Sequence, residues 1–162
     1  MVVNHFTDAL KGKVAEAVKD LVLPVKNGNP RPPKVVDGYL PPKRSGADDD
    51  FPMVLVRPES GETEREENKI SAVLIVGCYS EEFDGYKHCV NVMERIKSAL
   101  ATMKHETLAD KWALQYPMKW RLAEEQPYPL WQLEMELSFA SRAPQSVMDF
   151  EGSEIYGKEE EI

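Results

Sequence analysis

Cysteine and histidine are scarce in this sequence, with two and three residues in a chain of 162. So few cysteines in a chain of this length argue against a disulfide framework, and we expect both thiols to be reduced. A zinc site is not indicated either, because Cys78, His88 and Cys89 supply three ligands without a paired short spacing. We therefore predict no metal site and no cofactor.

Long apolar runs and a basic excess are lacking as well. No run reaches the ~18 residues of a membrane span, and the first residues show no signal-peptide core, which predicts synthesis in a cytoplasm. The formal net charge is −8, and phosphate binding rests on clustered lysine and arginine. We expect neither membrane insertion nor sequence-specific nucleic-acid binding.

Recognisable catalytic motifs are also missing. There is no G-x-S-x-G, Walker loop or G-x-G-x-x-G, and no Ser-His-Asp set can be assembled from the isolated histidines. The alternative from the enzyme class is a small thiol enzyme that uses Cys89 with His88. These neighbours point ~100° apart on a predicted helix, and Cys89 falls on an apolar stripe, where a free cysteine packs as a small hydrophobe. We interpret Cys78, at the end of an apolar strand, as a core residue like Cys89. We therefore predict no catalytic residue.

Apolar residues, by contrast, make up 42% of the chain and follow regular patterns. The length predicts one compact domain, which we place at 1–143, with an acidic C-terminal tail at 144–162. Apolar side chains at three- and four-residue steps predict helices at 4–22 and about 84–104. Between them, "KVVDGYL" in a proline-rich connector is interpreted as a short edge strand.

Four segments have strand-like patterns. Runs rich in valine and isoleucine predict strands at 51–58 and 69–79, joined as a hairpin with a long acidic tip at 59–68. Alternation of apolar and polar residues predicts two more, at 113–122 and 131–140, each with one buried face. This order predicts an α+β fold, with a mainly antiparallel sheet of four to five strands and two helices packed on one face.

The segment "SEEFDG" joins the second predicted strand to the second helix. Ser80 or Asp84 can accept hydrogen bonds from the first free amides of that helix, and negative charge there suits the helix dipole. We interpret the acids as a helix-start signal, not as an acid–base pair.

The polar face of the last two strands is the candidate contact surface. If these strands are neighbours, Lys119 and Arg121 lie near Glu134 and Glu136 in favourable cross-strand pairs. The plain alternative is a solvated face, since exposed ion pairs contribute only ~0–1 kcal/mol. The joining loop carries aromatic residues beside prolines, which suits protein contacts. The predicted subunit or partner contacts are Lys119, Arg121, Tyr128, Trp131, Glu134 and Glu136.

Four stretches together resemble a known family. They are "VVDGYLPPK", "DDFPMVLVRP", "VLIVGCYSEEFDGYKHCVNVMERIKSAL" and "LQYPMKWRLAEEQPYPLWQLEMELSF". These are similar to small structural proteins of the tailed phages and prophages of Gram-positive bacteria, in the tail-terminator or tail-completion family. The resemblance covers roughly residues 4–140 and leaves the acidic tail out.

This resemblance implies a non-enzymatic virion assembly protein that acts as a homo-oligomeric ring, commonly a hexamer. Such a ring caps the finished tail tube and offers a docking face to the head, so the implied partners are the tail tube protein and a head or connector protein. The implied location is the virion, and the host cytoplasm during assembly. The family has no catalytic residues to carry over. The alternative within the same class is a head-completion or connector protein.

Overall fold

A computed structural model describes residues 2–40 and 50–142 of the chain. Within these residues there are two α-helices, six strands and a short 3₁₀ turn at Lys104–Glu106. The helices are α1 (Val2–Val18) and α2 (Tyr86–Ala101). The strands are β1 (Lys34–Asp37), β2 (Met53–Thr63), β3 (Glu67–Tyr79), β4 (Thr107–Leu108), β5 (Trp112–Leu122) and β6 (Leu130–Arg142).

The strands form one sheet in the order β1-β2-β3-β6-β5-β4. β1 runs parallel to β2, and every other neighbouring pair is antiparallel. The sheet is therefore six-stranded and mixed, and it curls into a half-barrel. This finding corrects the predicted fold class of an α+β fold with a mainly antiparallel sheet of four to five strands. The short edge strand predicted in "KVVDGYL" is confirmed as β1. The parallel direction of β1 and the whole of β4 were missed, because strands of four and two residues are too short to show a direction or a period.

Both helices pack on the same face of this sheet and enclose the main core. α1 buries Phe6 and Leu10, and α2 buries Met93 and Ile96, against alternate residues of the central strands. On β6 the buried residues recur at every second position from Trp131 to Phe139, as a strand with one covered face requires. A smaller apolar cluster lies on the opposite face and consists of Phe51, Met53, Leu55 and Tyr79.

Several predicted boundaries are corrected. α1 ends at Val18 and not at residue 22, and α2 ends at Ala101 and not at residue 104. The predicted long tip at 59–68 is a tight turn, because β2 continues to Thr63 and β3 begins at Glu67. Most of the acids predicted in a loop therefore lie on a strand.

Two further expectations concern the C-terminal tail and the absence of membrane-spanning segments. The predicted acidic tail at 144–162 lies outside the described residues. Neither described helix combines the length and apolar character needed to cross a membrane.

Candidate interaction surface

The open face of β5 and β6 carries a ladder of opposite charges. Lys119 lies opposite Glu136, and Arg121 opposite Glu134, in the register of these two strands. Arg121 Nη2 is 3.4 Å from Glu134 Oε2, with the arginine side chain exposed. The predicted cross-strand pairing is thus confirmed. Because exposed pairs contribute only ~0–1 kcal/mol, the ladder adds little to the stability of the fold.

Two shallow depressions border this ladder. One of about 460 Å³ lies at the strand ends around Arg121, Glu124 and Gln132. The other, of about 160 Å³, lies along the ladder beside Trp120. Their linings combine charged pairs and apolar side chains with the aromatic side chain of Trp120. Among the described residues, neither lining includes a cysteine, a histidine or a serine. Such a lining suits contact with a protein surface.

The middle of β5 departs from the predicted alternation. The register with β6 shifts between Gln115 and Lys119. Tyr116 is 58% exposed and Trp120 is 46% exposed, although both belong to the apolar residues of the 113–122 alternation, the set expected to form the buried face of that strand. The prediction was wrong here because a bulge bends the strand, and this part of β5 lies at the side of the sheet. The result is two large aromatic side chains presented to solvent.

The other predicted contact residues, Tyr128 and Trp131, lie where β6 begins. The indole Nε1 of Trp131 donates to the Ser80 carbonyl at 2.9 Å, in a buried position. Tyr128 donates its hydroxyl proton to the Glu81 carbonyl at 2.7 Å. The Ser80 amide donates to the Pro129 carbonyl at 2.9 Å. These three bonds fix the turn that follows β3 to the turn that precedes β6.

Aromatic side chains gather around this junction, and we call them the aromatic corner: Phe83, Tyr86 and Tyr128, which are exposed, and Trp131, which is buried beneath them. The rings of Tyr86 and Tyr128 lie 6.4 and 6.1 Å from that of Trp131. Phe83 is 95% exposed at the apex of the turn, between acidic neighbours. Sequence reasoning missed Phe83. The sequence feature that could have revealed it is a large aromatic residue among acids in "EEFDG", a segment that was interpreted only as the start of a helix.

The predicted capping of α2 by Ser80 or Asp84 is wrong. Gly85 occupies the N-cap position, without a side-chain cap bond. Ser80 Oγ instead accepts the Glu82 amide at 3.1 Å within the turn. A Cβ on Gly85 would lie 2.6 Å from Trp131 Cε2, so the close approach of the indole requires glycine here.

The two cysteines face each other in the core. Both are free and buried, and Cys89 Sγ lies 3.9 Å from the Val76 carbonyl, which confirms its place on the buried stripe of α2. A hydrogen bond to Cys89, together with burial, raises the pKa of the Cys78 thiol. A buried thiol held in the protonated form is a poor nucleophile. Among the residues that the structure describes, no group of three or more His, Cys, Asp or Glu is placed to hold a metal ion.

The six predicted contact residues divide between two surfaces. Glu134 and Glu136 point to the open face of β6, with Lys119 and Arg121 beside them, whereas Trp131 points to the covered face. Tyr128 joins Trp131 at the end of the sheet. No protein-family model matches this chain, and no curated protein sequence matches it.

Proposed function

We propose that this chain is a non-enzymatic virion assembly protein, a tail terminator whose homomeric ring caps the tail tube and offers a docking face to the head. The observation that carries the proposal is the resemblance of four stretches, spanning roughly residues 4–140, to the tail-terminator or tail-completion family. The ring is expected to be a hexamer, as is common in that family.

The aromatic corner supports a contact role. Phe83 and Tyr128 are exposed, and the turns that carry them are hydrogen-bonded to each other. Aromatic side chains dominate the binding energy of many protein interfaces. Because these turns are already ordered, binding through them would cost less conformational entropy than binding through a disordered loop.

The net charge of the chain supports a ring that surrounds the path of the phage DNA. A ring through which DNA passes must not hold its phosphates. The formal net charge of −8 reduces phosphate affinity, since that affinity depends on lysine and arginine contacts.

The test is an interaction measurement with purified virion proteins. The protein is mixed with the tail tube protein of the same virion and, separately, with its head or connector protein, and complexes are measured by light scattering and pull-down. The proposal predicts a complex of a ring with the tube protein. Binding to the head or connector protein alone would assign the head-completion role instead. A strict monomer at every concentration, also with tube protein added, would contradict the proposal.

A further inference from the structure

The aromatic corner lies at one end of the sheet, on two neighbouring segments. Tyr79, the last residue of β3, pairs with Leu130, the first residue of β6. The turn at 80–85 and the loop at 123–129 therefore lie side by side, and the hydrogen bonds of Tyr128 and of the Ser80 amide tie them together. The exposed rings of the corner thus project from ordered backbone.

The two segments carry a large excess of negative charge. Together with the first residues of α2, they contain one cation, Lys87, which pairs with Asp84 at 3.3 Å. The carboxylates of residues 80–87 and 123–129 are those of Glu81, Glu82, Asp84, Glu124 and Glu125.

Four of these five carboxylates lack a cationic partner. Within the part of the chain that the structure describes, Glu82, Glu124 and Glu125 form no ion pair. Glu81 accepts a hydrogen bond from the Tyr79 hydroxyl at 2.9 Å, and this neutral donor does not offset its charge. The negative charge is therefore available to a partner.

Cations on neighbouring segments do not cancel this excess. Arg121, which lines the same depression as Glu124, is paired with Glu134 at 3.4 Å. Lys26 lies close enough to Tyr79 for its charge to act on that hydroxyl group. It offsets one charge of the four, so the surface around the exposed rings remains acidic.

This combination of aromatic rings and acids selects the chemistry of a partner. The acids repel the phosphates of a nucleic acid and the surface of an anionic membrane. They also oppose a contact between the corners of two copies, because like charges would meet. Lysine and arginine side chains suit the surface twice, since their apolar stems pack along an aromatic ring while their charged ends meet a ring face or a carboxylate.

We propose that the aromatic corner binds a basic segment of a partner protein. In that segment an apolar side chain packs on Phe83, and the lysine or arginine residues beside it meet the carboxylates of Glu82 and Glu125. The inference deepens the proposed function, and only the identity of the partner rests on that function: the segment then belongs to the tube, head or connector protein.

A selection from a random-peptide library against the full-length protein tests this inference. The selected peptides are synthesised, and their affinities are measured by fluorescence anisotropy at low and high salt. We expect peptides that combine a net positive charge with a large apolar residue. Their affinity is expected to fall as the salt concentration rises, because salt screens exposed charges.

Two variants locate the binding. Phe83→Ser removes the ring, and its control is Tyr116→Ser, because Tyr116 is an exposed aromatic residue of β5. Glu82→Lys with Glu125→Lys reverses the charge of the corner. Its control is Asp8→Lys with Glu16→Lys, which makes the same charge change at exposed positions of α1.

Each corner variant is expected to bind the selected peptides at least about tenfold more weakly than the wild type, whereas each control keeps the wild-type affinity. Circular dichroism checks the fold of all four. Selected peptides without a basic excess would overturn the inference, and so would peptides that bind the corner variants as tightly as the wild type, or a library that yields no binder. A mass that falls in Phe83→Ser, measured by light scattering, would assign the corner to a second copy and overturn it as well.

These results are separate from the test of the proposed function. A failure of the inference leaves the tail-terminator role standing, because binding to the tube protein is measured by itself. A protein that selects basic peptides at the corner but does not bind tube protein would keep the inference and lose the proposed function.

Discussion

Replacement of Gly85 by alanine should disrupt the junction between the two turns. The backbone of Gly85 has φ −56° and ψ −24°, which alanine adopts without strain. The added Cβ, however, would lie 2.6 Å from Trp131 Cε2 and 2.8 Å from Ser80 Cβ. Since Trp131 is packed in the core and hydrogen-bonded to Ser80, the indole must move.

Two costs follow from this movement. Overpacking of a well-packed site costs about 1–3 kcal/mol. If the indole Nε1 loses its bond to the Ser80 carbonyl, a buried donor is left without a partner, which costs about 1–3 kcal/mol more. We expect Gly85→Ala to lower the free energy of unfolding by about 2–6 kcal/mol. For a chain of this size the melting temperature then falls by roughly 4–24 °C.

Urea unfolding followed by tryptophan fluorescence measures this loss. The matched control is Gly12→Ala, because Gly12 lies in α1 and a Cβ there meets nothing within 4 Å. A Gly85→Ala variant that is as stable as the wild type, with unchanged tryptophan fluorescence, would contradict this prediction. It would show that a Cβ at residue 85 does not displace the indole of Trp131.

Three further predictions concern other parts of the chain. Gly12→Ala should raise the free energy of unfolding by about 0.5–1 kcal/mol, because alanine favours the helix interior; a loss of stability in urea would contradict this. Cys89→Ala should fold with a loss of about 1–2 kcal/mol from the small cavity, and it should still form rings and bind tube protein; a folded variant that loses assembly would revive the thiol-enzyme alternative. The hydrogen bond from Lys11 lowers the pKa of Asp37, so the pair stabilises the fold above the unfolded pKa of the carboxyl group and this contribution disappears as pH falls through the folded pKa. An NMR titration should show the Asp37 pKa rising toward its ordinary value in Lys11→Met; an unchanged pKa would refute the pairing.

Sequence patterns predicted best the elements with neighbours on every side. The alternation on β6 was correct because β3 and β5 flank the strand and the helices cover one of its faces, so every second residue, such as Leu133 and Phe139, must be apolar. The stripe of α2 was correct for the same reason, including Cys89.

The incorrect predictions concern residues of β2 and β5, toward the two sides of the sheet. Glu59 and Glu62 have low strand propensity, and their place on β2 depends on pairing with β3, which no local pattern reveals. Tyr116 and Trp120 fit the alternation of β5, yet their exposure is set by the bulge and by the short β4.

Part of the candidate contact surface was visible in the sequence. The charges of Lys119, Arg121, Glu134 and Glu136 were placed correctly, because register follows once two alternating strands are taken as neighbours. Of the aromatic corner, Tyr128 and Trp131 were predicted as contact residues, whereas Phe83 was not, since it becomes prominent only through the bonds that fix its turn to Tyr128 and Trp131.

The most direct measurement of the central claim is electron microscopy of growing tail tubes with and without this protein. The tube protein is allowed to polymerise, the protein is added, and tube lengths and tube ends are recorded. A tail terminator predicts a ring of this protein at one end of each tube and an arrest of elongation at that end. Tubes that continue to lengthen at the same rate, with no added density at either end, would contradict the claim.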